Sequence, residues 1–177
     1  DDLIGALIAL ACTDRRSERT DELILKGLFT TITNVNFNND TILMLKNEIE
    51  QACKALSHTF TPYDMSKIWN ADEDTRSLKS LLLFGIKGMA AYAYHARVLN
   101  RTDDIVNRFF YEALNALGEP LPADALRALV LTTGEVNLRC MKLLDEANTA
   151  AFGDPVPTQV PLTIEKGPFI VVSGHDL

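Results

Sequence analysis

RSLKSLLLFGIKGMAAYAYHARVL, from Arg76 to Leu99, is the stretch that decides the fold. Its apolar residues recur at Leu82, Ile86, Met89, Ala93 and Ala96. Steps of three and four put them on one face of an α-helix and on both faces of a strand, so only the helix gives a buried stripe. No proline interrupts the run, and the spacing predicts one long helix over about Asp74 to Leu99. Gly85 and Gly88 oppose that reading locally, since glycine costs up to about 1 kcal/mol against alanine inside a helix. Their expected return is close approach of a neighbouring helix.

A helix with one apolar face must find partners to cover it. Downstream, Thr102 followed by Asp103 and Asp104 predicts a helix start, with the acids where the dipole favours them. Gly118 and Pro120 end that helix, and Pro122 opens another at a favoured first-turn position. This last helix carries the stripe Leu126, Leu129, Thr133, Val136, Cys140, Leu143. Upstream, a helix is expected over Asp2 to Thr13. A second is capped by Thr20 and runs to about Thr33, and a third is capped by Asn39 or Asp40 with the stripe Ile42, Leu45, Ile49, Ala52, Leu56. His58 closes the third helix, and a loop follows around Thr61-Pro62.

The two sets of three look like copies. Gly5 matches Gly85, Ala11 matches Ala91, and RTDELI at Arg19 to Ile24 matches RTDDIV at Arg101 to Val106, the second copy having two extra residues between blocks. Each continues into an apolar–aromatic pair, Leu28-Phe29 and Phe110-Tyr111. The expected fold is therefore all-α, with two consecutive three-helix bundles over 1–70 and 71–152 related by internal duplication. More helix precedes Gly85 than precedes Gly5, so the first helix is expected to begin before Asp1.

After Ala151 the pattern changes. Gly153, Pro155 and Pro157 break the helix, and Thr158 to Ile164 alternates weakly, like an edge strand. Pro168-Phe169-Ile170-Val171-Val172 is a continuous apolar run, the pattern of a strand buried on both faces of a parallel sheet. Residues 153–177 thus read as a linker and the first strand or strands of a truncated α/β domain. Without its sheet, the strand is expected to be disordered, to pair with Thr158 to Ile164, or to pair with a second copy of the chain.

Composition narrows the function. Hydrophobic residues make up 47% and charged ones 23%, the balance of a chain with a real core. The net charge of −7 and the lack of any basic stripe argue against nucleic acid. No apolar run is long enough to span a membrane, and the opening residues have no signal-peptide pattern. Cys12, Cys53 and Cys140 are odd in number and far apart, which excludes a disulfide framework or a CxxC knuckle. Each lies on an apolar helical stripe and reads as a buried, reduced thiol, as expected of a cytoplasmic protein.

Few residues invite chemistry. His95 sits in the last turns of the long helix, and with His58 it reads as a helix-end histidine. Glu135 reads as part of an exposed helix face or as a polar contact inside the bundle. Asp145-Glu146 oppose the helix dipole and call for a tertiary partner, such as an arginine or a backbone donor from the following loop. His175 differs: it follows Gly174 at the end of the apolar run, beyond the carboxyl end of a strand, where α/β sheets place ligands. It is either a surface-turn histidine or an imidazole presented to a site. No phosphate loop, nucleophile elbow or HExxH occurs.

Several blocks, taken in order, resemble the hybrid-cluster protein (hydroxylamine reductase, prismane) family. They are LFTTITNVNF at Leu28 to Phe37, the Arg76 to Leu99 block, LLDEANT at Leu143 to Thr149, GDPVPTQV at Gly153 to Val160, and GPFIVVSGHDL at Gly167 to Leu177. The resemblance implies a parent enzyme with a helical region and two α/β domains. That parent reduces hydroxylamine to ammonia, and nitric oxide reduction is also associated with the family. It implies a conventional iron–sulfur cluster and a hybrid iron–sulfur–oxygen cluster, with a small nitrogen compound as substrate and an electron-donor reductase as partner. In SGHDL it makes His175 an iron ligand of the hybrid cluster. Cys12, Cys53 and Cys140 match no ligand position, so the chain alone is expected to bind no cluster and to be inactive. A carbon monoxide dehydrogenase-like segment and a free-standing helical interaction module are the alternatives.

Overall fold

The computed structural model describes residues 1–32 and 35–171. Among them are seven helices: α1 Asp2–Ala11, α2 Glu18–Thr30, α3 Asn39–Ser57, α4 Ser66–Trp69, α5 Glu73–Val98, α6 Asp104–Gly118 and α7 Ala123–Phe152. The six helices expected from periodicity are all present. The four-residue α4 is additional, too short to show any period; it packs on α5 and buries Ile68.

Three helix starts lie earlier or later than the cap residues suggested. α2 is capped by Ser17, whose side chain accepts from the Thr20 amide while the Thr20 hydroxyl accepts from the Ser17 amide. Thr20 is thus the far half of a capping box, not the cap itself. Asn38 caps α3 and Asp103 caps α6, each accepting two backbone N–H bonds. At the other ends, His58 and Asn100 turn the chain in the left-handed region, with φ of 61° and 59°, where their short-range polar groups make that conformation less costly than for a branched residue.

α1, α2 and α3 pack on one another, as do α5, α6 and α7, with α5 and α7 making the longest shared face. The two sets also meet directly, α2 on α5 and α1 on α6. One continuous core results, holding Leu7, Ile24 and Leu28 from the first set with Leu82, Ile86 and Phe110 from the second. α1 explains its own position. Eight of its ten residues are buried, and a helix that is apolar all round can only sit at the centre.

Gly5 and Gly85 occupy close-approach positions, as expected. A Cβ on Gly5 would collide with the Tyr63 carbonyl oxygen, and one on Gly85 would lie 2.9 Å from the Thr133 methyl group of α7. Gly88 does not: a Cβ there meets nothing within 4 Å, so its expected packing role is corrected. It lies on the outer face of α5, in line with exposed Leu81, Phe84 and Tyr92.

A buried cation closes the second set. Lys79 of α5 is 5% exposed, and its ammonium donates to the carbonyls of Leu117 and Glu119, each at 2.8 Å. These are acceptors at the carboxyl end of α6, where a positive charge also opposes the dipole. Burial lowers the Lys79 pKa from its ordinary value.

Beyond Gly153, which takes φ of 80°, described residues 154–171 are exposed and contain no strand. Thr158 to Ile164, expected as an edge strand, pairs with nothing described. Val160, Leu162 and Ile164 stand open to solvent, as they must where no neighbouring strand offers an edge. Val172 to Leu177, including His175, lie outside the described residues.

Candidate functional site

The only residue for which the sequence suggested a ligand role, His175, is not among the described residues. The other two histidines are placed as helix ends. His58 is the left-handed cap of α3. His95 is exposed in the last turn of α5 and lies edge-on to Phe29 and Tyr94, at 5.6 and 6.1 Å between ring centres. Phe29 and Tyr94 stack at 4.2 Å across the α2–α5 contact. Glu135 is exposed. Glu146 meets Lys142 at 3.6 Å on its own helix, which offsets its unfavourable place in the dipole.

A polar junction joins the two helix sets where the amino ends of α2 and α6 approach. Arg16 bridges Asp21 and Asp104, both at 3.0 Å, and its guanidinium lies 5.4 Å from the Tyr111 ring centre. Asn107 donates to Asp21 at 3.2 Å, and the buried Tyr111 hydroxyl sits 2.7 Å from that of Thr20. The acids are held by arginine and the hydroxyls by one another. Every group has a structural partner, so the junction locks helices together and leaves no acid, base or nucleophile free for chemistry.

The cysteines divide. Cys140 is fully buried on α7, its thiol directed at the Met89 carbonyl at 3.6 Å, and Cys53 is buried on α3. Cys12 is exposed, which corrects its expected burial: it follows the last residue of α1, where the stripe has run out. Among the described residues, no three His, Cys, Asp or Glu side chains converge on a point that could hold a metal. An iron–sulfur cluster held in the usual way needs about four ligands. The described residues therefore do not fit such a group.

Burial pushes the Cys53 thiol up to about 11 and the Cys140 thiol up to about 12, from an ordinary value of 9.0. A thiol whose pKa is raised on folding binds its proton more tightly in the folded state, so its contribution is complete below 9. It is lost as pH climbs toward the folded values. We expect denaturant midpoints to fall between pH 8.5 and pH 10.5, and Cys140→Ala to flatten that fall. Because the lowered Lys79 pKa acts in the opposite direction, the comparison of the two proteins isolates Cys140. A pH profile identical in the variant would contradict the assignment.

The sequence as a whole identifies the family where the described geometry offers no active site. Residues 2–177 match the Prismane/CO dehydrogenase family. The chain belongs to that family. It is 39% identical to a hydroxylamine reductase of Thermodesulfovibrio yellowstonii, over 93% of this chain and 35% of that protein. To hydroxylamine reductases of Acetivibrio thermocellus and Solidesulfovibrio magneticus it is 41% and 42% identical, in both cases over 89% of this chain and about a third of the relative. The chain thus spans about one third of the length of the curated relatives it matches. No helix among the described residues is long and apolar enough to cross a membrane.

Proposed function

We propose that this chain is the helical part of a hydroxylamine reductase, in which two duplicated three-helix bundles over 1–70 and 71–152 support a cluster-bearing α/β portion. The observation that carries this reading is the alignment with hydroxylamine reductases at 39–42% identity along about nine-tenths of the chain. In this reading the whole protein takes a small nitrogen compound as substrate, receives electrons from a reductase, and works in the cytoplasm. It carries a conventional iron–sulfur cluster and a hybrid iron–sulfur–oxygen cluster. The clusters supply electron storage and substrate binding, and His175 is one iron ligand of the hybrid cluster.

The helices then serve position and not chemistry. Asp103 is spent on the cap of α6, and Asp21 and Asp104 on the Arg16 junction. The segment 153–171, with its exposed Val156, Ile164 and Ile170, awaits neighbours that the whole protein provides, or pairs with a second copy when the chain is alone. The test is to produce the whole protein anaerobically and measure iron content together with hydroxylamine-dependent oxidation of a reduced dye. We expect both iron centres and ammonia as product. An iron-replete protein that oxidises carbon monoxide and leaves hydroxylamine untouched would overturn the reading in favour of the family's other branch.

A further inference from the structure

α1 and α3 run parallel, with Asp2 at the start of α1 reaching Lys46 in the first half of α3 at 3.5 Å. In that register the far end of α1 arrives beside the second half of α3. Cys12 and Cys53, distant in sequence, consequently line one open cleft of about 540 Å³, together with Ile8, Phe60, Tyr63 and Lys67 of α4. Both thiols are free. Neither matches a cluster-ligand position, and nothing in the proposed reduction uses them.

We propose that Cys12 and Cys53 form a two-thiol site for a soft, thiophilic monovalent cation of the copper(I) class. Thiolate sulfur prefers such ions, and copper(I) needs no third protein ligand to bind two sulfurs. The reaction balances without redox change: two S–H protons leave, and two sulfur–metal bonds form. The product, one cation with two thiolates, carries a net charge of −1. Lys67 lines the same cavity, and its ammonium lies 5.6 Å from the centre of the Tyr63 ring, where it can offset that charge.

Asp64 and Lys67 line the same cleft, one acidic and one basic. A thiol binds a soft metal as the thiolate, so binding displaces one proton from each of the two thiols, and below the ordinary thiol range affinity rises by up to about a hundredfold per pH unit. A site built on one thiol would show about tenfold.

The experiment uses the reduced, metal-free 177-residue chain, titrated anaerobically with copper(I) against bicinchoninate at several pH values. The expected result is one copper per chain, a two-proton slope, and a rise in melting temperature as the ion ties α1 to α3. Cys12→Ser and Cys53→Ala should each weaken binding at least a hundredfold, while Cys140→Ala leaves it unchanged. Circular dichroism confirms that each variant is folded, and Cys12→Ser, at an exposed position, carries the test if Cys53→Ala is not. Binding that survives loss of Cys12, a one-proton slope, or no binding at all would overturn the proposal. None of these readouts depends on hydroxylamine reduction, so the site stands or falls apart from the proposed function.

Discussion

Replacing His175 with alanine in the whole protein is expected to remove or alter the hybrid cluster and to cut hydroxylamine turnover by roughly a hundredfold or more. Loss of a group that merely orients a metal ligand already costs about ten- to a hundredfold, and His175 is proposed as a ligand itself. A neutral imidazole binds iron through one ring nitrogen and needs an acceptor for the other, so glutamine or asparagine would not restore the bond. The helical region should be indifferent, because among the described residues no buried residue of the core lies beyond Ala147. The conventional cluster should also persist. Iron content, visible spectra and turnover measured on one preparation separate these outcomes. Full turnover with an unchanged hybrid-cluster spectrum would remove His175 from the site.

The second large effect belongs to Gly5. Gly5→Ala is expected to destabilise the chain by about 1–3 kcal/mol, the range for overfilling a packed site, even though alanine is the better helix former by up to about 1 kcal/mol. The obstruction is backbone. Tyr63 lies across α1 with its carbonyl where the new methyl would go, and its amide donates to the Gly5 carbonyl at 3.0 Å. A peptide held by its own hydrogen bond cannot swing away as a side chain can. Gly85→Ala should cost less, since its obstacle is the Thr133 methyl. Gly88→Ala should gain up to about 1 kcal/mol, because nothing stands in its way. Urea midpoints for the three variants give the ranking, and a Gly5→Ala protein as stable as Gly88→Ala would refute it.

These three glycines mark how far the sequence could be read. That α1 and α5 are helices follows from their own spacing, because apolar period is a local property. Which glycine is crowded is not local: Gly85 and Gly88 sit three residues apart on α5, yet one faces α7 and the other open space. The caps show the same boundary. Ser17 and Thr20 are both cap-type residues, and only the geometry of their reciprocal bonds assigns the roles. Cys53 was legible as a buried helix residue while Cys12 falls just past the end of α1, and the cleft they share depends on the parallel register of α1 and α3. The role proposed for His175 rests on resemblance to a motif alone, since a lone histidine after an apolar run has no period to reveal a role.

The reciprocity of contacts between the two helix sets can be put in the language of quaternary structure. α2 packs on α5, and the counterpart of that contact under the repeat is α6 packing on α1; both are present. The ion pairs follow suit. Arg97, just before the second turn, reaches Glu22 at 3.9 Å, and Arg16, just before the first, reaches Asp104 at 3.0 Å. Glu22 and Asp104 are matching positions of RTDELI and RTDDIV. Patch meeting partner patch, with each contact answered by its mirror in sequence, is the signature of an isologous two-fold dimer. In the duplication we propose, both protomers would lie on one polypeptide, joined through α4. Fusion removes the concentration dependence that a true dimer would suffer. Under the same proposal the two copies are free to diverge, and Phe29 stacking on Tyr94 where Tyr111 meets the Thr20 hydroxyl would be one such divergence.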